Sequence, residues 1–374
     1  MPGPLSGLRI IEIAGIGPGP FCGMMLADHG ADVIRVERAG ARPEPLLGRN
    51  RRSIIVDLKS PEGAQLVRRL AASADGLFEG FRPGVMERLG LGPAALLQDN
   101  PRLVYGRVTG WGQYGPYADV AGHDINYIAL SGALHGYGRA GEKPTPPANI
   151  VGDFGGGGML LAFGMVSALL HAGKTGKGQV IDAAMTDGSA LLSSMIWEFR
   201  GTGFWRDDRG VNLLDTGAHF YDTYETADGK YIAVGAIEPQ FYAELRRIIG
   251  LGDDAALDDQ MNPARWPALK EKLAAVFLTK RRDEWEKLFS KTEVCVAPVL
   301  SMEEAAAHPH NVTRETFVDV GGIMGPAPAP RYSSTQVDAP TPPTKPGSAT
   351  REILSEAGVS EEEYNALRAS KAIE

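Results

Sequence analysis

Residues 8–36 read LRIIEIAGIGPGPFCGMMLADHGADVIRV. The first seven, 8–14, are apolar and β-branched with little alternation, the pattern of a strand covered on both faces. The turn GIGPGP follows at 15–20, then a helical stretch at 21–29 and a second apolar strand at 31–36. Strand, turn, helix, strand is a βαβ unit, which implies parallel strands with a helix packed across them. Working outward, the pattern repeats. Residues 53–56 predict a strand, 61–73 an amphipathic helix, 75–79 a strand and 103–109 another. The N-terminal half is therefore expected to form an open Rossmann-like α/β sheet.

Residues 111–152 are rich in Gly, Pro and aromatics and lack periodicity, and an ordered loop of that length is usually functional. A buried helix is expected over 154–170, then turn, strand and helix start over 174–185. The pattern weakens at 200–217. Residues 221–234 read as an antiparallel hairpin with Asp228-Gly229 at its turn. Helices are expected at 239–250, 266–277 and 282–289, a Pro-rich surface segment at 322–346 and helical character over 352–372. The chain of 374 residues exceeds what one core usually supports. The expected layout is a large ligand-binding α/β domain at 1–190, a linker at 191–220, a smaller α+β domain at 221–310, and a return segment with a C-terminal helix at 311–374 packing on the large domain.

Composition narrows the function. A net charge of −8 and a pI near 5.5 disfavour a nucleic-acid partner, which needs a basic face. Only two cysteines are present, Cys22 and Cys295, so a reducing, cytoplasmic setting is expected. The N-terminus lacks the charged and apolar regions of a signal peptide. The longest apolar run, 159–170, is shorter than the roughly 20 residues a bilayer span needs, so no membrane association is expected.

Five constellations could carry chemistry. The turn at 15–20 with Glu37 beyond it invites a dinucleotide reading, but Pro20 stands where the third fingerprint glycine belongs. Pro18 and Pro20 also lack the N–H donors a pyrophosphate would use. Arg38, Arg49, Arg51, Arg52, Lys59, Arg82 and Arg88 fall near predicted strand ends, a fair hint of an anionic ligand. His123, in GHDINY at 122–127, has the side chain suited to proton abstraction near neutral pH. Asp153 precedes four glycines and reads either as a helix N-cap or as one of a catalytic set. Those glycines weaken a helix, which implies a close approach to the backbone and suggests bare amides for an oxyanion. Glu238, before Pro239, suits the first turn of a helix.

The motifs at 5–38, 49–60 (RNRRSIIVDLKS), 79–90 (EGFRPGVMERLG), 109–116 (TGWGQYGP), 121–132 (AGHDINYIALSG), 151–164 (VGDFGGGGMLLAFG), 176–189, 221–242 and 277–285 occur in one order. Together they resemble the α-methylacyl-CoA racemases of the family III CoA-transferase superfamily. The resemblance implies the family III fold in an interlocked homodimer, a 2-methylacyl-CoA substrate, a place in fatty-acid and lipid metabolism, and no cofactor beyond the CoA of the substrate. It implies that His123 and Asp153 are the two catalytic bases, with Glu238 a partner for the histidine supplied by the second subunit. It implies a CoA ester held by Arg38, Val56, Asp57, Leu58, Lys59, Gly80, Arg82 and Arg88, and by the backbone of Gly122, Asp124, Ile125, Asn126 and Tyr127. Residues 38–47 look shorter than that pattern. The alternative within the superfamily is a CoA-transferase with Asp153 as nucleophile. A noncatalytic CoA-ester binder would not need His123, Asp153 and Glu238 together, and a nicotinamide dehydrogenase fails at Pro18 and Pro20.

Overall fold

A computed structural model describes residues 2–374. The chain forms two compact units. The first runs through Ser131 and takes in Ala148–Leu192 and Pro309–Glu374; the second is Gly132–Pro147 with Ser193–His308. This corrects the expected layout. Residues 132–147 leave the large unit, and 191–220 is not a linker, because Ser194–Gly201 is a helix of the second unit.

The first unit is built on six parallel strands: β1 (Arg9–Ile13), β2 (Asp32–Glu37), β3 (Arg52–Ile55), β4 (Gly76–Glu79), β5 (Val104–Thr109) and β6 (Val180–Ala184). Their order is β3-β2-β1-β4-β5-β6, and each neighbouring pair is parallel. The order reverses between β1 and β4. The crevice beyond the strand C-termini at such a switch point is where open α/β sheets bind ligands. The helices preceding β6 are α1 (Pro18–Asp28), α2 (Pro61–Ala72), α3 (Val85–Arg88), α4 (Pro93–Asp99), α5 (Asp124–Leu130) and α6 (Leu160–Thr175); α7 (Met185–Leu192) follows it.

Two apolar layers cover the sheet. On one face Ile11, Ile13, Ile34, Val36 and Ile54 pack against α2 and the C-terminal helices Thr350–Glu356 and Glu361–Ala369. On the other, Ile10, Val33, Phe78 and Val104 meet Leu26 of α1 and Leu161 and Met165 of α6. The alternating strand residues thus fill both layers, the property that made 8–14 readable as a doubly covered strand. Helix α6 continues a preceding helical stretch, so 150–175 forms one run long and apolar enough, by length and composition, to cross a membrane. The apolar run at 159–170 understated its length. Leu161, Ala162, Met165, Ala168 and Ala172 of this run are buried in the core.

The C-terminal return is tied down by buried polar contacts. Arg49 pairs with Asp28 (Nε to Oδ1 2.9 Å) and donates to the Pro326 carbonyl at 2.8 Å. That carbonyl lies on β11 (Ile323–Pro326), antiparallel to β10 (Phe317–Val320). The second unit carries the antiparallel strands β7 (Tyr221–Glu225), β8 (Tyr231–Gly235) and β9 (Val296–Val299). Its core includes Phe220, Tyr242, Trp266, Phe277 and Trp285. Gly229, with φ 70°, makes the expected hairpin turn.

Candidate active site

The opening turn is a tight strand-to-helix connection. Gly17 has φ 68°, and Pro18 opens α1, where its missing N–H costs nothing. Asp153 lies directly over this turn: a Cβ built on Gly17 would stand 3.1 Å from Asp153 Oδ2. A side chain at position 17 would therefore displace the carboxylate.

Asp153 is not the N-cap the sequence suggested. It sits inside a wide, π-type helical stretch, Ile150–Met159, where the Phe154 N–H reaches back five residues to the Asn149 carbonyl at 3.3 Å. Such wide turns are rare and concentrate at functional sites. The Asp153 N–H donates to Asp124 Oδ1 at 2.7 Å, and Asn149 Nδ2 donates to Asp153 Oδ2 at 3.2 Å. Burial lifts the Asp153 carboxyl above its ordinary value; the Asn149 amide opposes this, the Asp124 charge adds to it, and His123 pulls it back. His123 and Asp153, 30 residues apart in sequence, are thus close enough for their charges to interact.

The glycines have a different reason from the one expected. A Cβ on Gly156 would press on the Ser189 amide at 2.8 Å, and one on Gly157 would meet Met185 Cγ at 2.8 Å and Pro18 Cβ at 2.9 Å. One on Gly188 would overlap the Gly156 carbonyl. What approaches this backbone is helix α7 and the start of α1. The amides engage in the wide helix, so they are not the bare donors proposed for an oxyanion.

His123 is exposed and occupies the N-cap of α5. Its N–H donates to Asn126 Oδ1 at 3.0 Å, and the Asn126 N–H returns to the His123 carbonyl at 2.8 Å. The segment expected to be a loop is therefore the first turn of a helix. The N–H groups of Asp124 and Ile125 make no hydrogen bond among the described residues, so the open amides next to His123 are here. Tyr127 is buried, donates its hydroxyl to the Gly122 carbonyl, and packs edge-on against Trp111 at 4.8 Å. Burial pushes its phenol up, the Asp153 charge adds to that, and Arg82 lowers it.

The basic set divides in two. Arg49 and Arg51 are buried on Asp28 and Glu12, and Arg52, at the start of β3, pairs with Asp32, Glu352 and Glu356. These three serve the fold and not a ligand. Arg38, Lys59, Arg82 and Arg88 are exposed and follow the C-terminal ends of β2, β3 and β4. Asp57 and Lys59 are exposed and Leu58 is half-buried. Val56 offers less than expected: its side chain is in the core and its N–H is bonded to the Glu37 carbonyl. The 57–59 turn is pinned by the Asp57 N–H on the Ala372 carbonyl at 2.9 Å and the Lys59 N–H on Asp57 Oδ1 at 3.0 Å. Gly80 is exposed at the end of β4. Glu238 belongs to the second unit, exposed at the N-cap of helix Pro239–Ile248.

Sequence reasoning missed Asn149, Gly17 and the Asp124 side chain. Asn149 is one helical turn from Asp153, a spacing that could have flagged it, whereas Gly17 and Asp124 meet Asp153 across gaps that carry no local signal.

The fold is an open α/β sheet with a carboxylate and a histidine brought close to one another, and comparison fixes the family. CoA-transferase family III matches residues 5–348, and the chain belongs to that family. It is 50% identical to the mouse (Mus musculus) protein named alpha-methylacyl-CoA racemase, over 99% of this chain and 97% of that one. It is 48% identical to the human (Homo sapiens) protein of the same name, over 99% and 97%. Among solved structures, a CAIB/BAIF family protein from Brucella suis superposes with a TM-score of 0.82 at 28% identity, covering 96% of this chain and all of that one.

Proposed function

We propose that the protein is an isomerase that interconverts (R)- and (S)-2-methylacyl-CoA thioesters. The observation that carries this is that His123, at the head of α5, stands close enough to Asp153, in the wide turn over Gly17, for their charges to interact. The near-full-length identity of about half to two racemases supports it. One base takes the proton from the carbon next to the thioester carbonyl, and the electron pair moves onto the carbonyl oxygen as an enolate. The conjugate acid of the other base returns a proton to the opposite face. The balance is one proton in and one out, and no redox group or metal is used.

The geometry suits each role. Asp153 is half-buried and lifted above its usual value, so it holds a proton nearer neutral pH than an exposed aspartate would. The unpaired amides of Asp124 and Ile125 would receive the enolate oxygen beside His123. Arg38, Lys59, Arg82 and Arg88 are the exposed cations around the strand C-termini for the CoA phosphates. Glu238 would act on the His123 of a second copy in an interlocked homodimer.

A CoA-transferase reading would make Asp153 a nucleophile. A transferase has no need of a proton-transferring histidine, whereas His123 here stands close enough to Asp153 for their charges to interact. The test is proton NMR of (S)-2-methylacyl-CoA with the purified protein in deuterated water, without an acceptor acid. Loss of the α-proton signal with formation of the (R) epimer is expected. No exchange, followed by CoA transfer once a free carboxylic acid is added, would replace the racemase reading by the transferase one.

A further inference from the structure

Between β4 and α4 the chain makes an excursion, residues 80–92, that includes the short helix α3 and carries Arg82 and Arg88. Both arginines are exposed and neither is held by a salt bridge among the described residues. A flexible loop in this position would have to be ordered by the ligand, at a cost in affinity. The structure provides an internal alternative.

Glu79 is the last residue of β4 and is 1% exposed. Its carboxylate accepts the Phe81 N–H at 2.6 Å, where the excursion begins. It also accepts Arg107 Nε at 3.1 Å from the neighbouring strand, with Glu79 and Arg107 in register. The other two nitrogens of the same guanidinium reach Glu87, at 2.9 and 3.2 Å. Glu87 immediately precedes Arg88. One buried arginine therefore holds this segment at its start, through Glu79, and again at Glu87, directly before Arg88. Inside it, Gly84 has φ 78°, and a Cβ there would stand 3.2 Å from Arg88 Nη1, so the Arg88 guanidinium lies folded over the turn. Burial raises the Glu79 carboxyl to about 7 while the Phe81 amide and Arg107 draw it down.

We propose that Arg107 is a positioning residue: through Glu79 and Glu87 it presets Arg82 and Arg88 for the anionic, nucleotide end of the CoA ester. The proposal rests on the reading of Arg82 and Arg88 as CoA contacts. Its chemical content is specific. The planar fork of arginine can serve two carboxylates at once, whereas a lysine ammonium is a single point charge. Arg107→Lys keeps the charge beside Glu79 and loses the fork to Glu87.

The test compares two substrates at pH 8, where Glu79 is mostly ionised: a 2-methylacyl-CoA and the corresponding S-acyl-pantetheine, which lacks the adenosine phosphates. For Arg107→Lys, KM for the CoA ester is expected to rise about ten-fold or more at nearly constant kcat, the signature of lost uniform binding. Its kcat should stay within a few-fold, and kcat/KM for the pantetheine ester should not change. Glu87→Gln, half-exposed and so safe for the fold, should show the same split more weakly. Adding Arg107→Lys to Arg88→Ala should raise KM little further. Equal losses on both substrates, a fall in kcat alone, or no change would each overturn the positioning role. If the wild-type protein itself used the two substrates equally well, the nucleotide-binding reading would fail, and the clamp with it, for a different and recognisable reason.

Discussion

A single carboxylate decides much of the chemistry. Asp153 sits where its own backbone N–H is committed to Asp124 and one of its oxygens to Asn149. Its rotamer and its protonation are therefore set by neighbours. Removing either base should be severe: His123→Ala and Asp153→Asn should each lower kcat about 10²- to 10⁴-fold, the usual span for a positioned acid or base. KM for the CoA ester should stay within a few-fold; steady-state kinetics in both directions check this. Asp124→Asn is a finer probe. The amide still accepts the Asp153 N–H, but the negative charge that helps raise Asp153 is gone. The Asp153 pKa should then fall. In the direction where its carboxylate is the base, the acid limb of kcat/KM should move to lower pH. A limb that did not move would assign it to another group.

At the scale of the element, the wide helical turn is held open by its neighbours. Gly156, Gly157, Gly158 and Gly188 let α7 and α1 approach to backbone contact, and α7 meets the turn more extensively than any helix it touches. Gly188→Ala puts a methyl into the Gly156 carbonyl. The expected cost is about 1–3 kcal/mol of overpacking, with more where backbone must move. Activity should fall as well, because the same turn carries Asp153. Chemical denaturation followed by tryptophan fluorescence measures the first effect. A variant as stable as the parent would show that α7 can retreat freely.

Over the whole molecule, the first unit leaves apolar side chains in water. Phe163 is 71% and Leu170 61% exposed on α6, with Ile125 and Leu130 on α5 and Leu191 and Leu192 on α7. The buried positions of α6 alternate with these in helical period, so the helix is apolar all round, which suits burial on both faces. If a second copy covers the outer face, Phe163→Glu with Leu170→Glu should shift the protein toward monomer in light-scattering chromatography. Turnover should fall with it, as a site completed by Glu238 of another subunit requires. A fully active monomer would remove both the interface and the shared site.

The αβ order, the parallel sheet and most element boundaries were legible because local pattern reports local burial. Residues 8–36 contain a complete βαβ unit, and strands covered on both faces have an apolar signature that needs no partner to be recognised. His123 and Asp153 stood out as residue types in unusual settings, and the resemblance assigned them roles. Other facts were outside the reach of local pattern. That Arg49, Arg51 and Arg52 serve the fold while Arg38, Lys59, Arg82 and Arg88 face solvent depends on which acids the folded chain brings to each. That the four glycines admit a helix, that 132–147 joins the second unit, and that Asp124 holds Asp153 depend on contacts between residues far apart in the chain. The sequence by itself determined the elements, because propensity and hydrophobic period act over a few residues; tertiary structure alone decided the partners, because ion pairing, close packing and burial are set by distance in space.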